Sequence, residues 1–196
     1  MKKINAMGKV CPLPVIETKK ALKSEEGKNG VEIMVDNEIA TQNLSKMAEQ
    51  MKLSHSVETI STTEYRVTIG GTGEEPQTVK SKVGTTEGYV VAIGSDKMGT
   101  GEDELGKKLM QSFIYALAEQ DDIPEKILFY NAAVYLTSKD SGSLEDLKAL
   151  EAGGVEILSC GLCTNFYGIT EDLGVGSITN MYRIVEIMRT SQVVKP

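Results

Sequence analysis

Tryptophan is missing from this 196-residue chain, and it holds only three phenylalanines and one histidine. Its cores must therefore rest on Leu, Ile, Val and Met. A single histidine, His55, and no clear carboxylate pair give acid–base hydrolysis little support. Cysteine is scarce too, at three residues. An odd count does not suggest a disulfide framework, so the thiols are candidates for reactive groups. No stretch approaches the roughly 20 apolar residues of a membrane-crossing helix. The opening Met1-Lys2-Lys3-Ile4-Asn5-Ala6 lacks the apolar run of a signal peptide. The expectation is a cytosolic protein with no membrane partner.

Charge is uneven. Residues 1–71 hold 10 Lys+Arg against 9 Asp+Glu, whereas residues 72–196 hold 11 against 19. An acidic second part argues against nucleic acid as its main partner. The balanced first part, without basic clusters interleaved with aromatics, argues against RNA.

The pattern divides the chain in two. Residues 1–71 read β-α-β-α-β-β, with a first helix from about Pro12 to Ser24 and a second capped by Asp36-Asn37. Ile39, Leu44, Met47, Ala48 and Met51 form the second helix's apolar stripe. The compact solution is a two-layer βαβαββ sandwich, two helices over one face of a four-stranded sheet. Residues 72–88 have no periodicity and read as a linker. Residues 89–196 alternate apolar strands with helices, which predicts an open parallel α/β sheet with helices on both faces. One helix is expected from Glu102 to about Gln120, burying Leu105, Leu109, Met110, Phe113, Ile114 and Leu117. Ser143 is expected to cap another, and a last helix spans Ile178 to Thr190.

Two constellations could carry chemistry. Cys11-Pro12-Leu13-Pro14 opens the first helix. Proline suits a first turn, and the remaining free N–H groups with the helix dipole favour an anion there. Cys11 is therefore expected to be a thiolate of lowered pKa, the blander alternative being a small residue that starts a helix. Cys160-Gly161-Leu162-Cys163 follows the strand Val155–Ser159, which places both thiols in a loop at the functional edge of the sheet. A Cys-x-x-Cys pair is redox-active or metal-binding more often than structural. Zinc needs four ligands, and Cys160, Cys163, Cys11 and His55 are dispersed over both modules, so no metal or other cofactor is expected. Gly101-Glu102-Asp103-Glu104-Leu105-Gly106-Lys107-Lys108 nearly matches a phosphate-binding loop. It lacks the final hydroxyl and puts three acids where phosphate oxygens belong, so it is rejected. His55 is expected in a solvated loop.

Residues 1–71 resemble the TusA/SirA family of sulfur carriers through Gly8, Cys11-Pro12-x-Pro14, Val15, Thr18-Lys19-Lys20-Ala21-Leu22 and Val35-Asp36-Asn37. Residues 89–196 resemble the DsrE-like family, which carries a cysteine after a central strand. The two in this order, with Thr179-Asn180-Met181-Tyr182, are similar to sulfurtransferase-like proteins of selenium metabolism. The resemblance implies that Cys11 accepts persulfide sulfur from a cysteine desulfurase or other donor and hands it to an acceptor protein. It implies that Cys160 or Cys163 is a second acceptor, often within a homo-oligomer. Many DsrE-like proteins use one cysteine in this region, so the choice between the two stays open. The competing reading is a non-catalytic thiol redox sensor or adaptor.

Overall fold

A computed structural model of the chain describes residues 1–10, 12–71 and 88–196. Cys11 and all of the expected linker except Gly88 lie outside the described residues. The chain divides into two compact units, Met1–Val83 and Gly84–Pro196.

In the first unit, β1 (Lys2–Asn5) leads to α1 (Leu13–Lys23). β2 (Val31–Val35), α2 (Glu38–Gln50), β3 (His55–Ser61) and β4 (Glu64–Ile69) follow. The strands lie in the order β1-β2-β4-β3. β1 and β2 are parallel, and the other pairs are antiparallel. Alternation along β2 turns Val31, Ile33 and Val35 to one face, where they are fully buried. Val67 and Ile69 of β4 sit directly opposite Ile33 and Val31. Ala21 and Leu22 of α1, and Leu44, Met47 and Ala48 of α2, close over that face. Ile39 departs from expectation and is 68% exposed. The buried stripe runs Ala40, Leu44, Met47, Ala48 and Met51, so Ile39 falls one step off it. His55 is not in a loop. It opens the edge strand β3, half-buried, with Nε2 4.0 Å from Glu49 Oε1.

The second unit contains β5 (Tyr89–Ile93), α3 (Asp103–Ala118), β6 (Lys126–Phe129), α4 (Leu144–Ala152), β7 (Glu156–Cys160), α5 (Gly161–Phe166), β8 (Ser177–Thr179), α6 (Met181–Thr190) and β9 (Gln192–Val194). A 3₁₀ turn, Asn131–Thr137, follows β6. All five strands are parallel, in the order β8-β7-β6-β5-β9. The sheet is buried on both faces. Val91, Ile93, Ile127, Phe129 and Ile157 meet α3 and α4. Val90, Ala92, Leu128, Leu158 and Cys160 meet Ile184 and Ile187 of α6. That explains the near-continuous apolar runs of these strands.

Three expectations here need correction. The buried stripe of α3 is Gly106, Met110, Ile114 and Leu117, at spacings of four and three. Leu105 and Leu109 lie one step off it and are exposed. Ile178 belongs to β8 and pairs with Ser159, so the last helix starts later. Its start is fixed by Asn180, whose side chain accepts the Arg183 N–H at 3.0 Å. Ser143 stands before α4 but makes no capping bond, and its buried Oγ has no hydrogen-bond partner among the described residues. The other end of α4 stops at Gly153-Gly154. Gly154 takes φ +99°, and Val155 N–H reaches back to Leu150 O at 3.1 Å.

Candidate functional site

The segment between β1 and α1 is tied on both sides of position 11. Gly8, at φ +74°, donates its N–H to Asp36 Oδ2 at 2.8 Å. Asn37 donates to Asp36 Oδ1 at 2.7 Å, and its own Oδ1 accepts the Ala40 N–H that opens α2. The Asp36-Asn37 pair thus joins the loop before Cys11 to the cap of the second helix. Lys9 Nζ pairs with Glu17 of α1. The Asn37 and Gly8 donors hold the Asp36 carboxyl below its ordinary range. A lowered carboxylate supports the fold above its unfolded pKa and loses that support as pH falls through the folded value. Asp36→Ala is expected to speed hydrogen exchange of the Gly8 amide by about tenfold at neutral pH, read by NMR. An unchanged rate would mean that the bond holds nothing.

The backbone donors of α1 differ from expectation. Leu13 N–H is taken by Val10 O at 3.0 Å. Pro14 has none. Val15 and Ile16 both donate to Pro12 O, at 3.1 and 3.2 Å. Among the described residues, the first turn of α1 has no spare N–H to offer an anion, so the helix dipole is the feature there that favours one.

In the second unit, the Cys-x-x-Cys pair does not lie in a loop. Cys160 is the last residue of β7 and Cys163 stands on α5. Both carry free thiols. Cys160 is fully buried among Val90, Leu128, Ile184 and their neighbours. Cys163 is half-buried, and its Sγ accepts the backbone N–H of Asn131 at 3.0 Å. Burial pushes the Cys163 thiol up, the Asn131 N–H pulls it down, and the neighbouring Cys160 pushes it up. Tyr167 donates its hydroxyl to Asn131 Oδ1 at 3.0 Å. Its ring lies 5.0 Å from that of Tyr135 and 5.1 Å, edge-on, from that of Phe166. The accessible thiol thus sits at the carboxyl edge of a parallel sheet, beside an aromatic wall and one aimed donor.

Asn131 is not among the residues that the sequence analysis marked as candidates. A polar residue just past β6, at the edge that also carries Cys160, was the available signal. The rejected phosphate loop is built of ion pairs instead. Lys97 pairs with Asp103, Lys108 with Glu104 and Lys107 with Asp96. Gly106 lets Met98 N–H reach its carbonyl at 2.9 Å. Among the described residues, no cluster of three or more His, Cys, Asp or Glu could hold a metal ion. No described helix is long and apolar enough to cross a membrane.

Fold and sites define a thiol-bearing α/β protein. Comparison with known proteins makes its first part specific. Residues 2–71 match the family described as Sulfurtransferase TusA. A SirA-like protein of known structure from Desulfitobacterium hafniense is 45% identical. That match covers 37% of this chain and 100% of the other, with a TM-score of 0.34. A protein from Methanocaldococcus jannaschii that bears a sulfur-carrier name is 39% identical over 49 residues, which are 25% of this chain and 65% of its own length. The amino-terminal domain belongs to the TusA/SirA family of sulfur carriers. The structure of a protein of unknown function from Methanobacterium thermoautotrophicum matches 55% of this chain and 97% of its own, at 23% identity and a TM-score of 0.42. The ychN protein from E. coli matches 56% of this chain and 100% of its own, at 17% identity and a TM-score of 0.45. Likeness at that level assigns no chemistry to this chain.

Proposed function

We propose that the chain is a two-station carrier of sulfur or selenium, of the kind known as YedF, working in the cytoplasm with Cys11 as loading site and Cys163 as second station. The observation that carries the reading is a half-buried free thiol, Cys163, beside a buried one, Cys160, in a chain that begins with a sulfur-carrier domain. Cys11 thiolate attacks the outer sulfur of a donor persulfide such as that of a cysteine desulfurase. A Cys11–sulfur bond forms, the donor's sulfur–sulfur bond breaks, and the donor leaves as a thiolate. Cys163 thiolate then takes the outer sulfur in the same way and releases Cys11 thiolate. From Cys163 the cargo has two exits. An acceptor thiolate attacks the outer sulfur, with Cys163 thiolate as leaving group. Alternatively, Cys160 thiolate attacks Cys163 Sγ, which forms the Cys160–Cys163 disulfide and expels hydrosulfide. A dithiol reductant then restores both thiols. Selenium follows the same route, because the same soft thiolate carries either element. Domains at 1–71 and 89–196, the second of DsrE-like type, and assembly into a homo-oligomer belong to this proposal.

Incubation of the full chain with a cysteine desulfurase and cysteine, followed by peptide mass spectrometry, tests it. Extra sulfur is expected on Cys11 first and on Cys163 later, with none on Cys163 in Cys11→Ser. Absence of sulfur from Cys11 in the unaltered chain refutes the proposal.

A further inference from the structure

The geometry points to Asn131 and Tyr167 as the device that tunes Cys163: the Asn131 backbone N–H is the donor to its sulfur, and the Tyr167 hydroxyl is the clamp that keeps that donor aimed. The inference rests on the reading of Cys163 as the receiving thiol.

Asn131 takes φ +54°, in the left-handed region that side chains other than glycine rarely adopt. Only one other described non-glycine residue, Lys52, has a positive φ. Asparagine tolerates this conformation better than most, but it still needs a reason to stay there. Here the reason is visible at both ends of the residue. Its N–H meets Cys163 Sγ at 3.0 Å, and its side-chain carbonyl accepts the Tyr167 hydroxyl at 3.0 Å. Tyr167 is anchored by Cys163 itself, since its N–H donates to Cys163 O at 3.0 Å just past α5. The loop closes on itself from Cys163 through Tyr167 and Asn131 back to Cys163. The contacts at 131 span 32 and 36 residues of sequence, so they bridge the β6 and β7 edges of the sheet.

A donor on Sγ serves both halves of a transfer. It stabilises the thiolate that attacks, and it stabilises the same thiolate as it leaves when an acceptor removes the outer sulfur. It opposes the burial that pushes this thiol up. Leaving-group stabilisation acts only on the exit to an outside acceptor. In the exit through Cys160, hydrosulfide leaves and Cys163 remains bonded. The device therefore biases the second station toward handing the cargo on rather than releasing it as sulfide.

The test reads the thiol without any persulfide, so it stays informative if the carrier reading fails. Full-length protein is alkylated with iodoacetamide from pH 6 to 10, and Cys163 is followed by peptide mass spectrometry. Tyr167→Phe keeps the ring and deletes only the clamp, and is expected to slow alkylation at pH 7 about threefold by raising the midpoint of the profile. Asn131→Ala, which loses the clamp and disfavours the left-handed region, is expected to slow it about tenfold. Asn131→Gly also loses the clamp but adopts positive φ freely and keeps the N–H, so it is expected to slow alkylation about threefold, like Tyr167→Phe. The differences between variants are expected to shrink steadily toward pH 10, as a shifted titration requires and a merely loosened structure would not give. An unmoved midpoint in both Tyr167→Phe and Asn131→Ala overturns the inference, as does Asn131→Gly behaving like Asn131→Ala.

Discussion

Replacing Cys160 with alanine is expected to leave a chain that still loads sulfur on Cys163 but scarcely releases it as sulfide. Alanine is the informative substitution because Cys160 is fully buried in an apolar cluster, where a serine hydroxyl would need a partner. Cys160 is the adjacent thiol whose presence raises the Cys163 pKa. An intramolecular thiol held that close competes far better than an external one, so release without added thiol should fall at least about a hundredfold. Sulfide is trapped and quantified over time after loading, while mass spectrometry follows the persulfide on Cys163. Accumulated persulfide with little sulfide supports a resolving role for Cys160. Release at the unaltered rate would sink that exit and leave Cys163 as a simple carrier. The rival reading, a redox sensor, makes the opposite forecast for loading. It expects no transferable sulfur on Cys163 and a loss only of the Cys160–Cys163 disulfide.

The second large effect concerns stability. Phe129→Ala should destabilise the second unit by about 3–5 kcal/mol. Phe129 is fully buried at the end of β6, two residues before Asn131, on the face packed by α3 and α4. A parallel strand buried on both sides offers no easy collapse around the void. Against a typical total of about 5–15 kcal/mol, that loss is a large fraction. Urea unfolding followed by circular dichroism, with amide exchange localised to residues 88–196, measures it. A change under about 1 kcal/mol would show that the site relaxes around the missing ring. Because Asn131 follows so closely, Cys163 alkylation in this variant should also lose part of its low-pH rate.

Not all of the architecture was equally legible. Alternation in Val31-Glu32-Ile33-Met34-Val35 and the apolar run Tyr89-Val90-Val91-Ala92-Ile93 announce a half-buried and a doubly buried strand, and both form. Asn37 and Gly154 mark helix ends by chemistry that acts within a few residues. The misses share one cause. Ile39, Leu105 and Leu109 are apolar residues one step from a buried stripe, and hydrophobicity alone does not say where the edge of the stripe falls. Ile178-Thr179 carries too few residues for period two to separate a strand from the start of a helix. There the neighbouring strand β7 decides.

Composition and spacing by themselves divided the chain into two modules and drew attention to its thiols, while the class of the first module came from its resemblance to a known family. Those properties live in contiguous residues: a Cys-Pro-x-Pro helix start, an Asp-Asn cap and a Cys-x-x-Cys after a strand. Only the tertiary structure decided which thiol of the pair is reachable and what touches it. Cys160 is sealed by α6, which arrives from more than twenty residues downstream, while Cys163 meets Asn131 from 32 residues upstream. Packing between distant segments sets burial and aims donors, and no local period encodes it. The same holds for the described residues that open α1, where the Val10 and Pro12 carbonyls accept the N–H groups of Leu13, Val15 and Ile16.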